Sequence, residues 1–221
     1  MTEPAADLIA EDLACRRGER LVFARLSFNL PPGGALVLTG ANGSGKTSLL
    51  RLVATLIAPA AGRLSWGAVA VESDLAGYRT HLHYVGHQDG IKPGLTACEN
   101  LAFWAALRGC RLRRAAPALD AALAALGIEA VADWPCRWLS AGQRRRLALA
   151  RLLVAPAPIW LLDEPTAALD RDGQDRLEQA IIRHRVAGGR VVAATHTPIG
   201  LDGADTIILD DFAPPRGAAV V

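Results

Sequence analysis

Three short runs of the chain, Ala35 to Thr39, Ile159 to Leu162 and Val191 to Thr195, are apolar at nearly every position. Half-buried strands alternate apolar and polar residues, whereas strands covered on both faces do not, so these runs predict parallel strands inside a sheet. A further strand is expected over Thr206 to Leu209. Nearer the N-terminus, the β-like runs Leu8 to Ala14 and Leu21 to Leu30 flank a turn signal at Arg17-Gly18-Glu19 and predict an antiparallel hairpin. Helical spacing predicts one helix over Thr47 to Ile57, with Leu49, Val53, Leu56 and Ile57 on one face, and another over Asp172 to Val186. Ala97 to Gly109 and Ala118 to Leu126 also read as helices, the latter through Leu119, Ala122, Leu123 and Leu126, with no strand between them. Strand and helix otherwise alternate, so the class is α/β, with a helical insertion over about 90–150. The tail after Phe212 is expected to fray.

At 221 residues the chain suits one domain with an inserted subdomain. A hydrophobic share of 51% against 21% charged residues excludes a disordered chain. The stretch Leu147 to Leu162 is interrupted by Arg151, Pro156 and Pro158, so it predicts a buried helix and then a buried strand. A membrane-spanning helix needs roughly 18 unbroken apolar residues. With 24 basic and 22 acidic residues, the net charge of +2 gives no electrostatic case for nucleic acid. The run Arg144 to Arg146 is expected to lie on a solvated helix face. The opening residues are acidic and polar rather than a basic segment followed by an apolar one, which makes the cytoplasm the expected compartment. Cys15, Cys98, Cys110 and Cys136 lack paired spacing and read as reduced, mostly buried thiols. Of the 24 basic residues only Lys46 and Lys92 are lysines, so a lysine here marks a place where chemistry requires one.

Gly40-Ala-Asn42-Gly43-Ser44-Gly45-Lys46-Thr47 follows a buried strand and opens a helix, the setting a phosphate-binding loop needs. Its glycines let successive N–H groups turn toward an anion, and the helix N-terminus adds partial positive charge. Lys46 supplies a compact ammonium for the β and γ phosphates, and the Thr47 hydroxyl is a hard oxygen suited to Mg²⁺. Ile159 to Glu164 is a buried strand ending in two carboxylates, which divides their roles: Asp163 toward Mg²⁺, Glu164 toward the attacking water. His196 follows the third buried strand and, if all three strands run parallel, shares a sheet edge with Gly40 and Asp163, where it can donate to a γ-phosphate oxygen. His81, His83 and His87, without interleaved cysteines or acids, read as ordinary histidines rather than metal or haem ligands.

Leu139-Ser140-Ala141-Gly142-Gln143 precedes a further helix, and with these residues the chain resembles the nucleotide-binding subunits of ABC transporters over nearly its whole length. Gln88 resembles the Q-loop glutamine, LSAGQ the LSGGQ signature, Leu161 to Glu164 the Walker B strand, Ala167 to Asp170 the D-loop and His196 the switch histidine. The resemblance implies a P-loop NTPase core with a parallel central sheet, an N-terminal antiparallel β subdomain and a helical signature subdomain. The boundaries are about 1–89 and 151–221 for the core and about 90–150 for the helices. It implies an ATPase whose two copies sandwich two Mg-ATP, each phosphate loop, with Ser48 and Asp170 contributing, facing the partner's Ser140, Gly142 and Gln143. Glu164, His196 and Gln88 would be catalytic, and Thr47, Gln88 and Asp163 would hold the metal. Two features depart from the pattern: Arg16 or Arg17 stands where an adenine-stacking aromatic is usual, leaving a guanidinium plane for the base, and Ala141 replaces a signature glycine at a helix start.

Cys15 to Arg20, Tyr84 to Leu101 and Leu139 to Leu152 further resemble the CcmA family, the haem-exporter ATP-binding subunits of cytochrome c maturation. That resemblance implies membrane partners like CcmB and CcmC, an indirect link to the haem chaperone CcmE, and a peripheral place on the cytoplasmic face of the bacterial inner membrane. The alternatives are the ATPase of another ABC transporter, a soluble ABC clamp acting on DNA or ribosomes, and a P-loop kinase. Near-neutral charge and the lack of a tandem cassette or coiled-coil insertion weigh against the clamp, and a kinase leaves the signature and D-loop unexplained.

Overall fold

A computed structural model describes residues 6–113, 116–197 and 199–214. Of the tail past Phe212, residues 215–221 lie outside that description. In chain order the strands are β1 (Leu8–Arg17), β2 (Arg20–Leu30), β3 (Ala35–Thr39), β4 (Ala61–Trp66), β5 (Val69–Ala70), β6 (Leu82–Val85), β7 (Ile159–Asp163), β8 (Arg190–Ala194) and β9 (Asp205–Ile208). The α-helices are α1 (Lys46–Val53), α2 (Leu75–Thr80), α3 (Ala97–Leu107), α4 (Pro117–Ala125), α5 (Ala141–Val154) and α6 (Arg171–Val186).

The apolar runs behave as their lack of alternation predicts. β7 and β8 are buried at every residue and lie side by side with β3 in a five-stranded sheet ordered β6-β7-β8-β3-β9. All its pairings are parallel, with Asp163 opposite Ala194 and Ala194 opposite Leu38. Three strands therefore deliver their C-terminal ends to one edge. A second, antiparallel sheet has the order β2-β1-β4-β5, and the hairpin expected at the N-terminus is its β1/β2 pair. The fold is α/β.

Two apolar clusters fill the interior. One joins α3, α4 and α5 to α6 and to one face of the parallel sheet through residues such as Leu101, Leu123, Leu149, Leu162 and Ile181. The other packs α1 between the antiparallel sheet and the opposite face, through Leu13, Phe23, Leu49, Leu161 and Val192.

Several expectations need correction. The helix after the phosphate loop ends at Val53 rather than Ile57, because Thr55 takes a left-handed conformation (φ 56°), and Leu56 is turned out to solvent. β4, β5, α2 and β6 carry no apolar run long enough to announce them, and in β6 the buried polar ring of His83 interrupts the pattern. Arg144 to Arg146 does not form a solvated face: Arg145 and Arg146 are buried, as is Arg151 on the same helix. Each guanidinium donates to carbonyls or carboxylates of the surrounding loops, of the ends of β6 and β7 and of the start of α6, which offsets the penalty of burying the charge. The four cysteines form no disulfide among the described residues, and Cys110 is exposed while the other three are buried.

Candidate nucleotide site

β3 runs straight into the phosphate loop, and α1 starts at Lys46. Gly45, the N-cap, has φ 115° and a Cβ there would stand 2.7 Å from Val22 Cγ1, so glycine is required. No side chain caps α1, and its opening N–H groups are left to an anion. Lys46 Nζ donates to the carbonyls of Gly40 (2.7 Å) and Ala41 (3.0 Å), which fixes the ammonium over the loop with one of its three donors to spare. Ser44 Oγ is buried in the same loop with no hydrogen-bond partner among the described residues. An uncapped helix start, a spare ammonium donor and an orphaned hydroxyl fit a polyphosphate.

The carboxylate edge lies beside this loop. Thr47 Oγ1 donates to Asp163 Oδ1 at 3.2 Å across a separation of 116 residues, which puts two hard oxygens next to each other as an Mg²⁺ site needs. Tyr84 Oη lies 3.5 Å from the other Asp163 oxygen, and burial pushes the Tyr84 phenol up from its usual pKa. Glu164 adopts a left-handed conformation (φ 45°) with its N–H bound to the Ala194 carbonyl at 2.8 Å. That break from the strand separates its carboxylate from that of Asp163. His196 Nε2 stands 3.8 Å from Glu164 Oε1.

An open cleft of about 1030 Å³ contains most of these groups, with Arg17, Asn42, Lys46, Gln88, Asp163 and Glu164 in its walls. Gly43, Gly45, Thr47 and Ser48 line it as well, while His196 meets it through Glu164. Ser140, Gly142, Gln143 and Asp170 do not line this cleft. Ser140 caps α5 in a reciprocal box with Gln143, its Oγ accepting from Gln143 N (3.1 Å) and its N–H donating to Gln143 Oε1 (2.9 Å). At Gly142 a Cβ would come within 3.0 Å of the Ala168 carbonyl, so the bare backbone of the signature lies close against the D-loop. Asp170 caps α6 by accepting from Gly173 N (3.0 Å) and pairs with Arg146, whose guanidinium holds its carboxyl below the usual carboxylate range.

Sequence reasoning missed Asp210, whose Oδ2 accepts from Ala41 N (2.9 Å) and anchors the start of the phosphate loop from 169 residues away. It also missed the Arg145 and Arg151 contacts around Gln88 and Glu164. The early histidines occupy separate surroundings: His81 stacks on Trp66, His83 Nε2 meets the Ala155 carbonyl at 2.5 Å, and His87 edges the cleft.

The ABC transporter family profile matches residues 23–167. The chain is 56% identical to the cytochrome c biogenesis ATP-binding export protein CcmA of Rhodospirillum rubrum, over 98% of this chain and 91% of that one. To the protein of the same name from Paramagnetospirillum magneticum it is 52% identical, over 92% and 94% of the two chains. Among solved structures, a Pyrococcus furiosus protein assigned as an ABC transporter ATP-binding protein superposes with a TM-score of 0.81 at 20% identity, covering 94% of this chain and 100% of that one. The chain belongs to the ABC transporter family as an ATP-binding subunit, within its CcmA branch.

Proposed function

We propose that this chain is the ATP-hydrolysing subunit of a membrane complex that drives haem export, or release of a haem-loaded chaperone, in cytochrome c biogenesis. The observation that carries the pathway is the 56% identity to a CcmA over nearly the whole chain. Hydrolysis rests on the juxtaposition of Lys46, Thr47, Asp163 and Glu164.

In this reading Lys46, Ser44 and the N–H groups of the loop and of α1 hold the β and γ phosphates, and Arg17 offers its guanidinium plane to the base. Thr47 and Asp163, with Gln88, hold Mg²⁺, which when bound offsets the phosphate charge. Glu164 orients a water in line with the γ-phosphorus and takes its proton as the bond to the ADP oxygen breaks, leaving ADP and phosphate. His196, beside Glu164, donates to a γ-phosphate oxygen.

Ser140, Gly142, Gln143 and Asp170 act across an interface, completing the site held by a second copy. The start of α5 then presents its dipole and the N–H groups at Gly142 and Gln143 to that copy's γ-phosphate. The helical part, about 90–150, passes closure of the dimer to membrane subunits like CcmB and CcmC, with CcmE as the indirect partner and no nucleic acid involved. No helix among the described residues is long and apolar enough to cross a membrane. The chain works as a peripheral subunit on the cytoplasmic face of the inner membrane.

Glu164→Gln tests the reading, because it retains nucleotide while slowing hydrolysis and holds the dimer closed on its partners. The tagged variant is recovered from gently solubilised membranes of its own host with ATP present, and co-purifying proteins and haem absorbance are recorded. Small membrane subunits with a haem-loaded chaperone are expected. A different permease, or no membrane partner, overturns the haem assignment and leaves the ATPase intact.

A further inference from the structure

One side chain of the signature helix touches both sides of the hydrolytic machinery. Arg145 is 3% exposed and lies just over one turn into α5 from the Ser140 cap. Nη2 donates to the carbonyls of Asp163 (2.9 Å) and Glu164 (2.8 Å), and Nε to that of Pro165 (3.2 Å). Nη1 donates to the Gly86 carbonyl (2.9 Å) and to Asp89 Oδ1 (3.1 Å). A guanidinium has five N–H donors in a rigid planar fork, and five acceptors surround this one.

Three of those acceptors are the consecutive carbonyls at and on either side of Glu164, the residue held at φ 45°. The other two belong to Gly86 and Asp89, which bracket Gln88. A left-handed backbone at a non-glycine residue is strained and persists only where its surroundings over-determine it. Hydrogen bonds to three successive carbonyls are such a constraint.

We propose that Arg145 is a positioning residue for ATP hydrolysis: it fixes the backbone on both sides of Glu164 to the signature helix, so that this carboxylate is placed by where that helix sits, while the Gly86 carbonyl and the Asp89 carboxylate tie the same guanidinium to the segment that carries Gln88. Its role deepens the proposed function, because it acts through the water-orienting task given to Glu164. Lysine cannot replace it. An ammonium offers three donors around a point charge, and no single ammonium position reaches acceptors spread over both loops.

Arg145 makes no contact with the phosphate loop, so nucleotide affinity and turnover should separate. In the complex purified with its membrane subunits, Arg145→Lys should keep the ATP dissociation constant within about threefold while kcat falls by about 10- to 100-fold, the loss expected when a catalytic group is misplaced by an ångström or so. Leu26→Ala, a core change in the antiparallel sheet, serves as the control for lost stability: it should lower the melting temperature without lowering kcat at 20 °C.

A double-mutant cycle then reads the route. In single-turnover hydrolysis, Arg145→Lys should slow the wild-type chain strongly and the Glu164→Gln chain by less than about threefold, because a displaced Glu164 has nothing left to lose. Equal slowing in both backgrounds, unchanged kcat, or matched losses of affinity and kcat would overturn the role of Arg145. Undiminished turnover by Glu164→Gln alone would overturn the assignment of Glu164 instead, so the two failures are told apart.

Discussion

At the scale of single residues, the base of the proposed nucleotide falls to the part of the cleft that Arg17 lines. Arg17 is exposed and lines the cleft together with Asn42 and Ser48. A guanidinium plane stacks on any base, and such contacts at exposed sites are worth about 0.5–1 kcal/mol. Arg17→Ala should therefore weaken ATP binding about two- to fivefold, and Arg17→Tyr should restore it, both measured by titration with a fluorescent ATP analogue. An affinity indifferent to both changes would take Arg17 away from the base. That the Lys46 loop and the Asp163–Glu164 carboxylates share one sheet edge was legible from sequence, because a helix start and a strand end dictate their positions. Asp210 was not, since nothing local marks a carboxylate whose partner N–H, at Ala41, lies 169 residues earlier. Arg145 was misread for a related reason: three successive arginines resemble a solvated face until the loops that supply their acceptors are in place.

At the scale of elements, termini decided which parts could be read in advance. α3 opens on a complete capping box, Thr96 Oγ1 accepting from Glu99 N at 3.2 Å and Glu99 Oε2 from Thr96 N at 2.8 Å, and its start at Ala97 was expected. α1 has no comparable stop signal, so its apolar spacing runs past Val53, where the backbone turns. β4 and β6 were missed because each is short and carries polar residues, and pairing with β1 and β7 rather than local pattern makes them strands. Removing the α3 box tests how much a cap contributes. Thr96→Ala should cost about 1 kcal/mol, lowering the melting temperature by about 2–4 °C for a chain of this size, with ATPase rate at 20 °C unaltered. A rate loss matching the stability loss would mean that the start of α3 also shapes the neighbouring segment that carries Gln88.

At the scale of the whole molecule, stability depends on two imidazoles gathered around Trp160. His184 stacks on its ring at 3.9 Å, and His83 lies opposite it in the β6/β7 register. Burial lowers His184 from an ordinary 6.5 to about 4 and His83 to about 3, so both rings are neutral in the folded chain. The sign follows from proton uptake. Between pH 6.5 and 4 these two rings bind protons in the unfolded chain that the folded chain excludes, and His81, which burial also lowers, adds in the same direction, so stability falls as pH falls, by up to about 1.4 kcal/mol per unit for each ring. Above pH 6.5 both states hold neutral rings and the dependence vanishes. Urea unfolding between pH 7.5 and 4.5 should show a flat region and then a steady decline. His184→Phe keeps an aromatic ring against Trp160 without a titrating group, and should make that decline shallower, leaving the shares of His83 and His81. A midpoint that stays level to pH 4.5, or a slope that His184→Phe leaves unchanged, would mean that the cluster around Trp160 admits protons without unfolding.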